Sequence, residues 1–161
     1  MAEWLLLINA LFLVTGAATY FGTMWTVKFF LAPSWDTLAP ENIHERFDKP
    51  IRTATKFFMI VVPLMLVSSV IVIVDEWGSR LAVPGMICAA SIAGSSYVFR
   101  GLIFPVNNKI IAGTYDGAAG LKELLDRWLF YNNFRFAGGV LIWASAAWYV
   151  ADKGNLLGEF R

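Results

Sequence analysis

Histidine and cysteine are almost missing from this sequence: His44 and Cys88 are the only ones. A lone cysteine closes no intrachain disulfide. Cys88 lies inside an apolar block, where a small buried hydrophobe is the simpler reading. One histidine excludes bis-histidine haem ligation within the chain. With no Glu-x-x-His motif beside it, it also argues against a zinc or di-iron site, and no metal or cofactor is expected. Charge is scarce as well, at 16% of residues with a net +1, so there is no basic field for nucleic acid to bind. The chain has no Walker motif, nucleophile elbow or carboxylate dyad. Glu123 and Asp126, three apart, read as a solvated helix face.

What the chain has instead is apolar length. Of 161 residues, 58% are hydrophobic, and they concentrate in four blocks. A bilayer core needs about 20 apolar helical residues, and each block is long enough. The expected architecture is all-α: a four-helix transmembrane bundle forming one domain over 1–161, with spans near 4–31, 53–74, 81–111 and 121–150. The first block lacks a basic leader and is too long for a signal sequence, so it is read as a retained helix. Gly16, Ala17, Ala18 and Gly22 allow close helix approach there, as Gly138 and Gly139 do in the fourth block. Thr15, Thr19 and Thr23 are expected to bond back to their own helix. Tyr20, Trp25 and Lys28 suit an interface. Pro63 is expected to kink the second helix.

Polar punctuation separates the blocks. The segment Ala32 to Arg52 carries Pro33, Pro40 and Pro50. Within it, Asn42 to Asp48 is expected to form a short surface helix with His44 and Asp48 one turn apart. His44 is either a proton shuttle oriented by Asp48 or a surface residue making a local pair. Asp75 to Arg80 is a hairpin loop. The glycine-rich run Ala112 to Gly120 lacks the residues of a phosphate cradle and reads as a connector. Leu121 to Arg135 is an amphipathic entry to the fourth span.

Lysine and arginine are lopsided. Lys28, Arg46, Lys49, Arg52 and Lys56 flank the first long connection, and Arg100, Lys109, Lys122, Arg127 and Arg135 flank the second. The opposite side has Arg80, Lys153 and Arg161. The positive-inside rule puts both long connections in the cytoplasm and both termini outside, in what is expected to be a bacterial inner membrane.

One end of the bundle therefore collects the chain's polar chemistry. Trp128, Asn132 and Arg135 are spaced i, i+4, i+7 and share a helix face. If Pro105 does not stop the third helix, Tyr97, Arg100, Phe104, Asn107 and Asn108 fall near one face too. Arg100 either snorkels to headgroups or turns inward. Amides, arginines and aromatic rings at the mouth of an apolar bundle suit a lipophilic aromatic or quinone-like ligand with a few oxygens. Arg100 or Arg135 would stabilise an enolate or phenolate as charge develops. The alternative is a polar collar, in which these groups bond one another and hold the helices in register. Beyond the lipid bilayer and such a ligand, the glycine-rich faces permit a homo-oligomer or a membrane-complex partner.

The pieces Pro105-Val-Asn-Asn108 and Arg127-Trp-Leu-Phe-Tyr-Asn-Asn-Phe-Arg135, set in four membrane helices, resemble the anthrone-oxygenase-like family of small, mostly bacterial membrane proteins. The matching positions are Pro105 and Asn107, then Trp128, Asn132 and Arg135. The resemblance implies oxidation of an anthrone to an anthraquinone by molecular oxygen without a metal or organic cofactor. Such chemistry needs a base and oxyanion donors. His44 is the candidate base, although it lies outside the matching motifs. The candidate catalytic residues are thus His44, Arg100, Asn132 and Arg135, and the candidate substrate-binding residues are Tyr97, Asn107, Asn108 and Trp128. The other reading is a non-catalytic quinone or lipid binder, or a subunit of a membrane complex.

Overall fold

Apolar runs of this length have one open-ended solution in lipid, the α-helix, because it satisfies every backbone N–H and C=O internally. The computed structural model describes residues 3–155. It has four helical rods long and apolar enough to cross a membrane, and no strand among the described residues. The protein is an all-α integral membrane bundle.

The first rod is α1 (Glu3–Thr26), carried on by a π turn (Val27–Leu31) and a 3₁₀ segment (Ala32–Thr37). The second opens with a π turn (His44–Asp48) that runs without a break into α2 (Lys49–Asp75), with Pro50 just past the π turn, whose wider winding makes room for a residue that cannot donate to the ladder. The short helix expected over Asn42 to Asp48 is thus the head of the second rod. The third rod is α3 (Ala82–Val98), a π turn (Phe99–Ile103) and α4 (Phe104–Ile111), so Pro105 does continue the helix. The fourth is α5 (Gly117–Lys153), 37 residues and about 55 Å long. It starts after a turn in which Gly113 and Gly117 take positive φ, the conformation glycine allows most readily.

At the far end of the bundle, Arg80 donates to Asp152 at 2.8 Å and Lys153 to Glu76. These pairs mark one membrane surface. About 20 residues back from Asp152 lies Asn132, the same distance back from Asp75 lies Thr55, and the same distance forward from Arg80 lies Arg100. All three reach the opposite boundary of the hydrocarbon layer together.

Between these levels the helices touch through small residues. Gly16 of α1 lies against Met65 of α2, Gly85 of α3 against Val72 and Ile73 of α2, and Gly138 of α5 against Ser95 of α3. Asn9 and Ser68 exchange two hydrogen bonds, Asn9 Nδ2 to the Ser68 carbonyl and Ser68 Oγ to Asn9 Oδ1. Thr19 and Thr23 donate to carbonyls one turn back in α1, as expected. Two apolar clusters result. One fills the membrane layer around Leu13, Ala17, Met65, Ile92 and Ile142. The other caps it beyond the Asn132 level, around Trp35, Phe47, Ile103, Ile110 and Trp128.

Candidate functional site

The two clusters do not meet. Between them lies a cavity of about 290 Å³, walled by all four rods. Its lower wall includes Ile92, Met65 and Ile142; its upper end is Trp128. Trp128 and Ile142 are 14 residues apart on α5, so the cavity extends about 21 Å along the bundle. Its lining is mainly apolar, with polar groups gathered at the upper end: Tyr20, Asn132, Arg135 and, at the rim, Arg100.

Trp128, Asn132 and Arg135 are 1%, 2% and 9% exposed. The i, i+4, i+7 spacing brings all three onto the cavity because α5 runs through them as uninterrupted α-helix. Their states differ. Trp128 Nε1 donates to Asn107 Oδ1 at 2.5 Å, and its ring packs edge-on against Trp35 with centroids 5.0 Å apart. That pair closes on itself, as a collar would. Asn107 stands behind Trp128 and does not line the cavity. Asn132 is the opposite case: its Oδ1 is buried with no hydrogen-bond partner. Buried amide oxygens without partners are rare, and each calls for a missing donor.

Arg135 has no carboxylate within salt-bridge distance among the described residues. Its Nε donates to the Tyr20 hydroxyl at 3.3 Å. Its Cζ lies 4.9 Å from the Phe99 ring centroid and 5.8 Å from that of Tyr20. A guanidinium resting on rings is only partly compensated. Its other N–H groups remain free to donate, as does the Tyr20 hydroxyl proton. Tyr20 and Arg135, joined by that bond, and Asn132, one turn before Arg135 on α5, thus give the cavity wall spare donors and a spare acceptor beside a long apolar slot.

Four of the eight candidate residues, Arg100, Trp128, Asn132 and Arg135, line the cavity. The others stand elsewhere. Tyr97 is 73% exposed on the outer face of α3. The π turn at Phe99–Ile103 adds one residue to the helical register, so Tyr97 and Asn107 point about 180° apart instead of sharing a face. Asn108 is exposed, one position round from Asn107. His44 has an exposed side chain whose Nδ1 lies 3.1 Å from Asp48 Oδ2, beside a separate hollow that includes Pro40 and Tyr115. Asp48 is buried and also accepts both Nε and Nη2 of Arg52, so His44 makes the local pair. No group of three or more His, Cys, Asp or Glu side chains assembles among the described residues.

Tyr20 is the site residue that sequence reasoning missed, having read it only as suited to the approach to an interface. It is 3% exposed. The signal was present: Leu13, Ala17, Tyr20, Met24 and Val27 recur at helical spacing and are all buried, which commits the Tyr20 hydroxyl to an interior partner.

No family model, curated protein or solved structure matches this chain.

Proposed function

We propose that the protein binds a lipophilic, ring-bearing small molecule through an acidic or carbonyl oxygen held by Arg135, Asn132 and Tyr20. The observation that carries this reading is the pair of uncompensated groups on one cavity wall: a buried cation without a carboxylate and a buried amide oxygen without a donor. An ionised oxygen on the ligand answers the first. A hydroxyl on it answers the second. Apolar rings fill the slot below.

The same donors suit the oxygenase chemistry that the family resemblance implies. An anthrone loses a proton to give an electron-rich enolate, which reacts with dioxygen to yield the anthraquinone and water. Arg135 and Tyr20 would hold the enolate oxygen while the carbon edge faces the slot. Proton removal is the step without an assigned residue, because among the described residues neither carboxylate nor imidazole lines the cavity. A substrate acidic enough to ionise without a protein base fits this donor set. A second reading, a non-catalytic quinone or lipid binder or a structural subunit, is favoured by the Asn107–Trp128 bond, which leaves both groups satisfied without a ligand. We infer that the site faces the cytoplasmic side of a bacterial inner membrane, with both termini outside, from the excess of lysine and arginine at this end.

The test is native mass spectrometry of the protein purified in lipid, followed by oxygen-uptake measurements with anthrone. A retained organic ligand, displaced by alizarin, supports binding, and anthrone-dependent oxygen uptake lost in Arg135→Met supports catalysis. No retained molecule and no alizarin binding would sink both.

A further inference from the structure

The cavity wall is uneven. Every lining residue of α5 is buried, and on α1 only Thr23 is partly exposed. The lining residues that are also openly exposed are Met59 and Pro63 of α2 and Arg100 after α3. Position around α2 identifies the side they occupy. Val61 and Met65 face α1, where they pack at Gly16. Gly85 of α3 touches both Val72, on that same side of α2, and Ile73, about 100° further round. Met59 and Pro63 lie on the flank of Ile73. Near the hairpin loop α2 and α3 are in contact; 14 residues up from Ile73, about 21 Å, Met59 both lines the cavity and is exposed. Pro63, between the two points, removes a helical hydrogen bond.

We propose that the opening in the wall marked by Met59, Pro63 and Arg100, which line the cavity and are exposed, is a lateral portal through which a membrane-dissolved organic anion enters the cavity from the bilayer, with Arg100 as its recruiting charge. The proposal rests on the ligand reading above and adds the route and the charge preference. Arg100 is exposed, lies at the hydrocarbon boundary and has no carboxylate partner among the described residues. A cation at that depth attracts anionic amphiphiles. Arg135, deeper on the same cavity, then receives the anion. The orientation agrees as well. A ligand with its oxygen at headgroup level and its rings in the hydrocarbon lies in the leaflet as it would lie in the cavity, so entry is a sideways move without inversion or a passage through water.

The test uses alizarin as the anionic probe and anthraquinone as its neutral counterpart, both preloaded in phosphatidylcholine vesicles fused with proteoliposomes of the full chain. In a Cys88→Ala background, Met59→Cys and Ser96→Cys are bridged across the opening by a reducible bifunctional thiol reagent. Bridged protein should load alizarin at least about tenfold more slowly than the same protein after reduction, as expected for a blocked gating step. Equal rates would overturn the portal. If the double variant does not bind alizarin when reduced, Met59→Cys carrying N-benzylmaleimide replaces it, with the same slowing expected and the same result refuting it. Arg100→Gln should weaken alizarin binding about fivefold and leave anthraquinone unaffected; equal loss for both probes would refute recruitment by charge. Failure of the unaltered protein to bind either probe would instead refute the ligand site itself.

Discussion

Removing the charge of Arg135 separates a ligand site from a structural collar, because the two answer it in opposite ways. Arg135→Met keeps an unbranched apolar stem and deletes the guanidinium. In the ligand-free protein that group makes one 3.3 Å bond to Tyr20 and rests on two rings. The bond contributes about 1 kcal/mol, and each ring contact about 0.5–1 kcal/mol. Holding an arginine in a membrane helix costs about 2.5–3.5 kcal/mol by insertion scales, less near the helix end. Loss and relief nearly cancel, so the ligand-free variant is expected within about 1 kcal/mol of wild type. Binding behaves differently. Hydrogen bonds to a charged group contribute about 1.5–3 kcal/mol, which corresponds to alizarin binding weakened about 10- to 150-fold. Stability is read by titrating detergent into bicelles while following helical circular dichroism, and affinity by the visible absorbance of alizarin. A variant that fails to insert, or loses clearly more than that 1 kcal/mol, would show a collar. A variant that binds alizarin as tightly as wild type would refute the site.

Asn107 and Asn132 are expected to respond in opposite directions in the same unfolding assay. Asn107→Leu strands the buried Trp128 Nε1 and should cost about 1–3 kcal/mol. Asn132→Leu removes an oxygen that has no partner, so the ligand-free protein should be at least as stable while alizarin affinity falls; equal destabilisation by both would contradict the assignment. Gly138→Ala places a Cβ onto Ser95 Oγ and should cost about 1–3 kcal/mol. Adding Ser95→Ala should recover most of that loss, and additive losses would show that the strain lies elsewhere. For orientation, Thr37→Cys should resist an impermeant thiol reagent applied to intact cells. Cys88 is buried and gives no background, so labelling would reverse the inferred topology.

The membrane rods were legible because length and apolarity leave the backbone one choice. The face carrying Trp128, Asn132 and Arg135 was legible for a related reason: α5 keeps a constant period through those positions. The third rod does not. Its π turn at Phe99–Ile103 shifts the register by one residue; the signal was Pro105 two residues past the turn, as Pro33 and Pro50 follow the other two π turns, and a constant-period reading passes over it. Tyr97 and Asn108 were therefore grouped with Asn107 although they point elsewhere. His44 was raised by its rarity, which says nothing about direction. Charge counting brought Arg100 and Arg135 to one end but did not say which was buried. That depends on which helices leave room for a guanidinium, a property of packing between elements and not of any single one.

Well-packed interiors leave few voids larger than a water molecule, so a cavity of this size in the middle of a bundle needs a cause. The scaffold supplies one. Beside the lower part of the cavity and below it, glycine contacts at Gly16, Gly138 and Gly85 and the Asn9–Ser68 pair fix the spacing of the helices. Above it, Trp35, Phe47 and Trp128 pack edge-to-face with centroids 5.0–6.0 Å apart, and Asn107 anchors the last of them. The rods are thus held at two levels and cannot pinch together between them without disrupting one. The groups on the wall also oppose closure. Collapsing the slot would press apolar side chains onto Arg135 and Asn132, removing the last solvation available to a cation without a carboxylate and an amide oxygen without a donor among the described residues. The collar and the ligand site are therefore not competing accounts of the same residues. Asn107 and Trp128 form the collar, and by holding the helices apart they keep Asn132 and Arg135 facing open space that a ligand can fill.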